Sequence, residues 1–295
     1  MDKRVVRADW LLMLTALIWG TAFVAQRAGM AHVGAFTFNG VRFALGLLVL
    51  LPFIIRRPKA FTQGTNPGSS QRATRSQAFW GGGLAGLVLF IGAALQQMGL
   101  VYTTAGKAGF ITGLYVIIVP ILGLFLGFRP GRGGWLGACL AVVGLYLLSV
   151  TRGFTLAPGD LLVLVGAFFW AAHVLILGWL SPKMNRVRLA CAQYAICSCL
   201  SLVCADLFEE ITVNGLMGGA IPILYGGIMS VGVAYTLQVV AQRYAPPVHA
   251  AIILSLESVF AALAGWVILG EVMSIRGMIG AGLMLAGMLI AQLWA

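Results

Sequence analysis

Glu257 is a lone carboxylate deep inside a long apolar run, VHAAIILSLESVFAALAGWVILGE, from Val248 to Glu271. It lies about ten residues in, close to the middle of a bilayer at roughly 1.5 Å of rise per residue. A charge there costs at least about 2.5 kcal/mol, so it needs a partner, a proton or a water-filled cavity. Two readings follow: a structural carboxylate bonded to a neighbouring helix, or a group on a transport path that takes up a proton as solute moves. His173 lies about thirteen residues into another apolar run, one turn after Trp170. An imidazole there can relay protons or bind a carboxylate; otherwise it is a buried neutral ring bonded to a backbone carbonyl. Gln96 and Gln238 bring amides that both donate and accept, which suits a zwitterion or an interhelical bond. Tyr235 lies one turn before Gln238, and Thr112 one turn before Tyr115, so each pair shares a face. Trp19 and Trp170, ten residues deep, read as packing or cavity walls. Arg42 must pair or snorkel; a structural ion pair or helix-end contact is favoured over a substrate carboxylate. Lys107 is assigned Glu271 as a partner, and Asp206, Glu209 and Glu210 read as a solvated acidic patch.

The elements that position these residues are membrane spans. Of 295 residues 60% are hydrophobic and 9% charged, and the mean hydropathy is +0.97. That is a polytopic helical membrane protein with no room for a sizeable soluble domain. Ten spans are expected: 9–29, 36–55, 78–101, 107–128, 133–150, 160–180, 189–208, 219–242, 248–270 and 276–294. The start of the chain resembles a signal peptide, but its apolar run is too long, so it reads as the first span. Residues 56–77, with GTNPGSSQ, read as a mobile hydrophilic loop on the cytoplasmic side.

Net charge is +11, yet the basic residues lie in short loops, which excludes nucleic acid as a partner. With the N-terminus inside, 14 Lys and Arg fall in inner segments and 4 in outer ones, placing both termini in the cytoplasm. The five cysteines read as small apolar filler, and neither they nor the three histidines suggest a metal site. No hydrolase triad or phosphate loop appears, so neither an enzyme nor a cofactor is expected.

The chain repeats itself. Asp9 and Trp19 recur as Asp160 and Trp170, and LQQMGLVY (Leu95 to Tyr102) recurs as LQVVAQRY (Leu237 to Tyr244) at a shift of 142. Gly127, Gly134, Gly137 and Gly144 recur as Gly270, Gly277, Gly280 and Gly287 at a shift of 143. The counterpart of Glu257 is Tyr115. Five spans per half is an odd number, so the halves, 1–150 and 151–295, insert in opposite orientations. The fold class is therefore all-α, ten transmembrane helices in two inverted five-helix repeats. Gly109 and Gly113, Gly123 and Gly127, and Gly133 and Gly137 make small-residue faces for helix packing.

LIWGTAFVAQR, NGVRFALG, GLVYTTAGKAGFITGLYVIIVP and SLESVFAALAGWVILGE together resemble the drug/metabolite transporter superfamily of the EamA type. The resemblance runs through both halves. It implies a ten-helix carrier of small metabolites, mostly an exporter, with a cavity lined by helices 1, 3, 4, 6, 8 and 9. The family often has Pro directly after the ninth-span glutamate, where this chain has Ser258; Pro120 keeps a break in reach in the other half.

The expected function is secondary transport of a small metabolite across the cell inner membrane by alternating access. Export of amino acids or similar compounds leads, with protons as a candidate coupling ion and the bilayer as the other partner. The competing readings are a drug or organic-cation exporter, and a non-transporting receptor or assembly subunit. No oligomeric state is read.

Overall fold

The computed structural model describes residues 3–55, 75–103, 105–127, 130–149, 158–269 and 274–294, and among them it is helical, without strands. Eight stretches are long and apolar enough to cross a membrane, and two shorter apolar helices, Arg132–Leu147 and Ile275–Ala291, accompany them. Trp10, Phe125, Ile221 and Val267 stand exposed on the outside. Water would penalise such a surface, whereas hydrocarbon does not, because each helix satisfies its own backbone groups.

The helices are α1 (Lys3–Gly29), α2 (Ala35–Ile55), α3 (Arg75–Tyr102), α4 (Ala105–Gly113), α5 (Tyr115–Phe125), α6 (Arg132–Ser149), α7 (Pro158–Leu180) and α8 (Arg186–Phe208). Then come α9 (Val213–Gly218), α10 (Ala220–Leu224), a π-helix (Tyr225–Tyr235), α11 (Thr236–Ala241), α12 (Pro247–Leu254), α13 (Glu257–Leu269) and α14 (Ile275–Leu293). The first helix starts at Lys3, six residues before its apolar run. Hydropathy marks entry into hydrocarbon, not the point where the backbone first closes its bonds. The loop expected over 56–77 falls outside the described residues as far as residue 74, and Arg75 is already helical. The pairing assigned to Lys107 and Glu271 also falls outside the described residues.

The fourth and ninth spans are each broken in two. Leu114 N donates to Ile111 O at 3.2 Å, and Leu256 N donates to Ile253 O at 3.1 Å. Both are i to i−3 bonds, a tightened turn that ends one α-helical segment and starts another. The two breaks are repeat equivalents, 142 residues apart. No proline is needed at either: Ser258 follows Glu257, and Pro120 lies inside α5 rather than at its start. Gly127, expected on a packing face, instead has φ 81° just beyond α5, a left-handed turn that glycine adopts without strain.

Four of the repeated glycines, Gly137, Gly144, Gly280 and Gly287, bring α6 and α14 into close contact. A Cβ on Gly137 would lie 2.6 Å from Gly287 O, and one on Gly144 would lie 2.5 Å from Gly280 O. Position rises along one helix as it falls along the other, so the two run antiparallel. Equivalent residues contact each other's partners, as across a two-fold axis. Gly144→Val should force this crossing apart and cost on the order of 1–3 kcal/mol, as overpacking does. The thermal midpoint in detergent should fall, whereas Gly282→Ala, where a Cβ meets nothing within 4 Å, should leave it unchanged.

Candidate functional site

Glu257 and Tyr115 are the first residues of α13 and α5, each directly after a helix break. The breaks bring them side by side, 4% and 3% exposed. The Tyr115 hydroxyl lies against the Glu257 carboxylate, at the limit of hydrogen bonding, and neither the hydroxyl nor Glu257 Oε1 bonds any other group. The N-terminal end of a helix is also where its dipole favours a carboxylate. α1 lies directly against this point: a Cβ on Gly20 would meet Glu257 O at 2.6 Å. Ser258 Oγ donates to Gly109 O at 2.8 Å and ties α13 to α4.

A polar chain runs along one wall. Thr112 Oγ1 donates to Gln96 Oε1 at 3.4 Å, and Gln96 Nε2 donates to Gln26 Oε1 at 3.2 Å. Gln26 Nε2 donates onward to Ala22 O at 3.3 Å. Sequence reasoning missed Gln26, although it lies two turns after Trp19 and so shares its face. Gln238 is buried on the opposite element, with its Oε1 unpartnered.

Aromatic rings close the space. Tyr235 ends the π-helix, with ring centroids 4.5 Å from Trp19, 5.7 Å from Phe43 and 6.1 Å from Trp170. Trp19 Nε1 donates to Ser230 O and Thr15 Oγ1 to Ala234 O, both at 3.3 Å, which pins α1 to the π-helix. Trp170 Nε1 is buried without a partner. Ser230 was also missed: a serine in YGGIMSVGVAY gives no signal until the π-helix turns it inward.

Arg42 of α2 reaches the same space and is 1% exposed. Its Nε donates to Asn39 Oδ1 at 2.9 Å, and Asn39 Nδ2 donates to Ala93 O at 3.0 Å, so the guanidinium is held from α3. Of the structural ion pair or helix-end contact expected for it, the ion pair does not form: among the described residues no carboxylate meets it. Its charge lies 5.4 Å and 5.1 Å from the ring centroids of Phe38 and Phe43. Such contacts are worth up to about 2 kcal/mol when desolvated. An arginine in mid-span costs about 2.5–3.5 kcal/mol. The rings therefore offset part of that cost and leave the charge unneutralised.

These residues line a narrow space whose passages are little wider than a water molecule. Nine of the ten residues singled out from the sequence line it: Glu257, Tyr115, Thr112, Gln96, Gln238, Tyr235, Trp19, Trp170 and Arg42. The wall draws on the first, third, fourth, sixth, eighth and ninth spans, as the resemblance implied, and also on the second, through Arg42.

His173 does not line the cavity. It is fully buried behind Trp170, with Nε2 donating to Gln193 Oε1 at 2.8 Å. Its partner is thus a side-chain amide, not the backbone carbonyl of the structural reading. Glu209 is not merely solvated: its two carboxylate oxygens accept from Phe36 N and Thr37 N, each at 2.8 Å, capping α2. That cap fixes the helix that carries Arg42. Asp9 accepts from His249 Nε2 at 2.8 Å, joining α1 to α12, while Asp160 accepts from the Thr103 hydroxyl. No cluster of three metal-ligating side chains forms among the described residues.

Comparison with known proteins gives a consistent picture. The EamA-like transporter family matches residues 6–150 and again 157–292. A protein of Archaeoglobus fulgidus named "Uncharacterized transporter" is 32% identical over 292 residues, covering 97% of this chain and 86% of the relative. Another protein of that organism, bearing the same name, is 24% identical over 282 residues, covering 95% and 94%. A solved crystal structure superposes with a TM-score of 0.78 at 19% identity, covering 98% of this chain and 97% of the other, which shows a shared fold.

His173→Leu should orphan Gln193 and lower the thermal midpoint, as leaving a buried polar group unsatisfied costs about 1–3 kcal/mol. Since the ring lies outside the cavity, affinity for a cavity ligand should stay within about twofold, below 0.5 kcal/mol. Ligand titration of the purified variant checks this.

Proposed function

The chain belongs to the EamA-like transporter family, and we propose that it is a secondary transporter that exports a small polar metabolite, an amino acid or amino-acid-like compound, across the cell inner membrane. One observation carries this reading. The cavity is lined by helices of both halves, and buried polar groups on its wall have bonding capacity to spare: Gln238 Oε1 and Trp170 Nε1 make no hydrogen bond, and Glu257 and Tyr115 have at most each other. Buried polar groups in native proteins are nearly always bonded. Here a bound solute supplies the missing partners, and a few convergent polar groups in an apolar pocket set its orientation.

The transport cycle is alternating access by rocking two inverted repeats, residues 1–150 and 151–295, with both termini in the cytoplasm. The antiparallel crossing of α6 and α14, the equivalent breaks in the fourth and ninth spans, and the Lys and Arg asymmetry support it. Glu257 couples solute movement to protons: a carboxyl enclosed in the membrane either holds a proton or faces a cation, and exchanging the two drives transport. A drug or organic-cation exporter is the second reading, favoured by the Trp19, Trp170 and Tyr235 rings near the carboxyl.

Flux from reconstituted liposomes decides between them, using a panel of amino acids and organic cations with and without an imposed pH gradient. Amino-acid flux that follows the gradient in the wild type, and loses that dependence in Glu257→Gln, is expected. The same pH dependence in the variant would remove Glu257 from coupling, and flux confined to organic cations would favour the second reading.

A further inference from the structure

The cavity wall holds a second charge of opposite sign to Glu257. The Arg42 guanidinium is fixed at Nε by Asn39, which is itself held by Ala93 O on α3. That uses one of five guanidinium N–H donors; the remaining four make no hydrogen bond among the described residues. Space has been cleared for the side chain. A Cβ on Gly226 would lie 3.3 Å from Arg42 Cδ. Such a group is positioned and desolvated but not neutralised.

Glu257 does not supply the missing anion. Both residues line the cavity, yet they form no ion pair with each other. Tyr235 lines the same cavity and stands within electrostatic reach of both charges. The cavity thus presents a cation, an aromatic face and a carboxyl. A solute with an anionic end and a cationic end matches that set. A guanidinium presents parallel N–H donors that fit the two oxygens of a carboxylate, which a single ammonium does not.

Resting on the transport reading above, we propose that Arg42 is the carboxylate-binding subsite of the cavity, so that the transported solute must carry a carboxylate. The solute's amino group lies toward Glu257, and its side chain lies along Trp19, Trp170 and Tyr235. An amine lacking the carboxylate leaves Arg42 unpaired in a closed cavity and is rejected. This separates an amino-acid carrier from an organic-cation exporter on one residue.

The test uses full-length protein in liposomes and matched probes: leucine with isoamylamine, and phenylalanine with phenethylamine. The wild type is expected to move the amino acids at least tenfold faster than the amines. Arg42→Gln should lose amino-acid flux at least tenfold, and Arg42→Lys should restore part of it, keeping the charge but not the fork. Size-exclusion profile and thermal midpoint establish that the variants are folded, and the wild-type comparison stands even where they are not. Amines moved as fast as amino acids, or full amino-acid flux in folded Arg42→Gln, would overturn the assignment and leave transport intact. If the wild type moves neither class, both the transport reading for these solutes and the Arg42 assignment fall.

Discussion

Hydrocarbon solvates no charge, and the central cavity is arranged around that constraint. Most polar groups inside the bundle are bonded to a neighbouring helix: Ser258 to Gly109, Asn39 to Ala93, Ser198 to Gly40, Asp9 to His249. Several exceptions, such as Gln97 Oε1, Ser181 Oγ and Ser201 Oγ, lie away from the cavity. Others, on Gln238, Trp170, Tyr115 and Glu257, line it, and Arg42 joins them there with a charge that no carboxylate meets. An unpaired buried group is costly, so a cavity lined by both charges and spare polar atoms is a place where a polar solute would be stabilised.

Backbone irregularity is how the charges reach that space. A continuous helix through Leu114 or Leu256 would leave no helix end in the membrane. The tightened turns create one at Tyr115 and another at Glu257. The π-helix from Tyr225 to Tyr235 does the corresponding work in the eighth span, bringing Ser230 and Tyr235 to the wall. Both devices are tolerated in a membrane only because protein surrounds them. Gly20, Gly226 and Gly227 are the other half of this design, since a Cβ at any of them would press on Glu257, Arg42 or their neighbours.

Much of this was legible in the sequence because membrane proteins write their architecture in composition. Apolar runs mark spans, and a carboxylate or guanidinium within one stands out against them, so Glu257 and Arg42 could be singled out without a structure. The shift of 142 residues tied Tyr115 to Glu257 before any contact was visible. Three-dimensional partners were not legible. Nothing in the order of residues says that Asn39 and two phenyl rings replace the carboxylate expected beside Arg42, or that Glu209 caps a helix some 170 residues away. His173 stayed open between a relay and a buried ring for a related reason: depth along a helix is read from position, but which side faces a cavity depends on the neighbours. Gln26 and Ser230 carried no charge and so raised no flag.

The central claim is that solute bridges the wall between Arg42 and Glu257 with its carboxylate on the guanidinium. Solid-state NMR of the reconstituted protein, 15N-labelled at arginine and loaded with a 13C-carboxyl amino-acid mixture, measures that contact directly. Dipolar transfer from solute carboxyl carbon to a buried guanidinium nitrogen, absent in Arg42→Lys, is the result expected. Bound solute whose carboxyl carbon shows no coupling to any buried guanidinium would contradict the account.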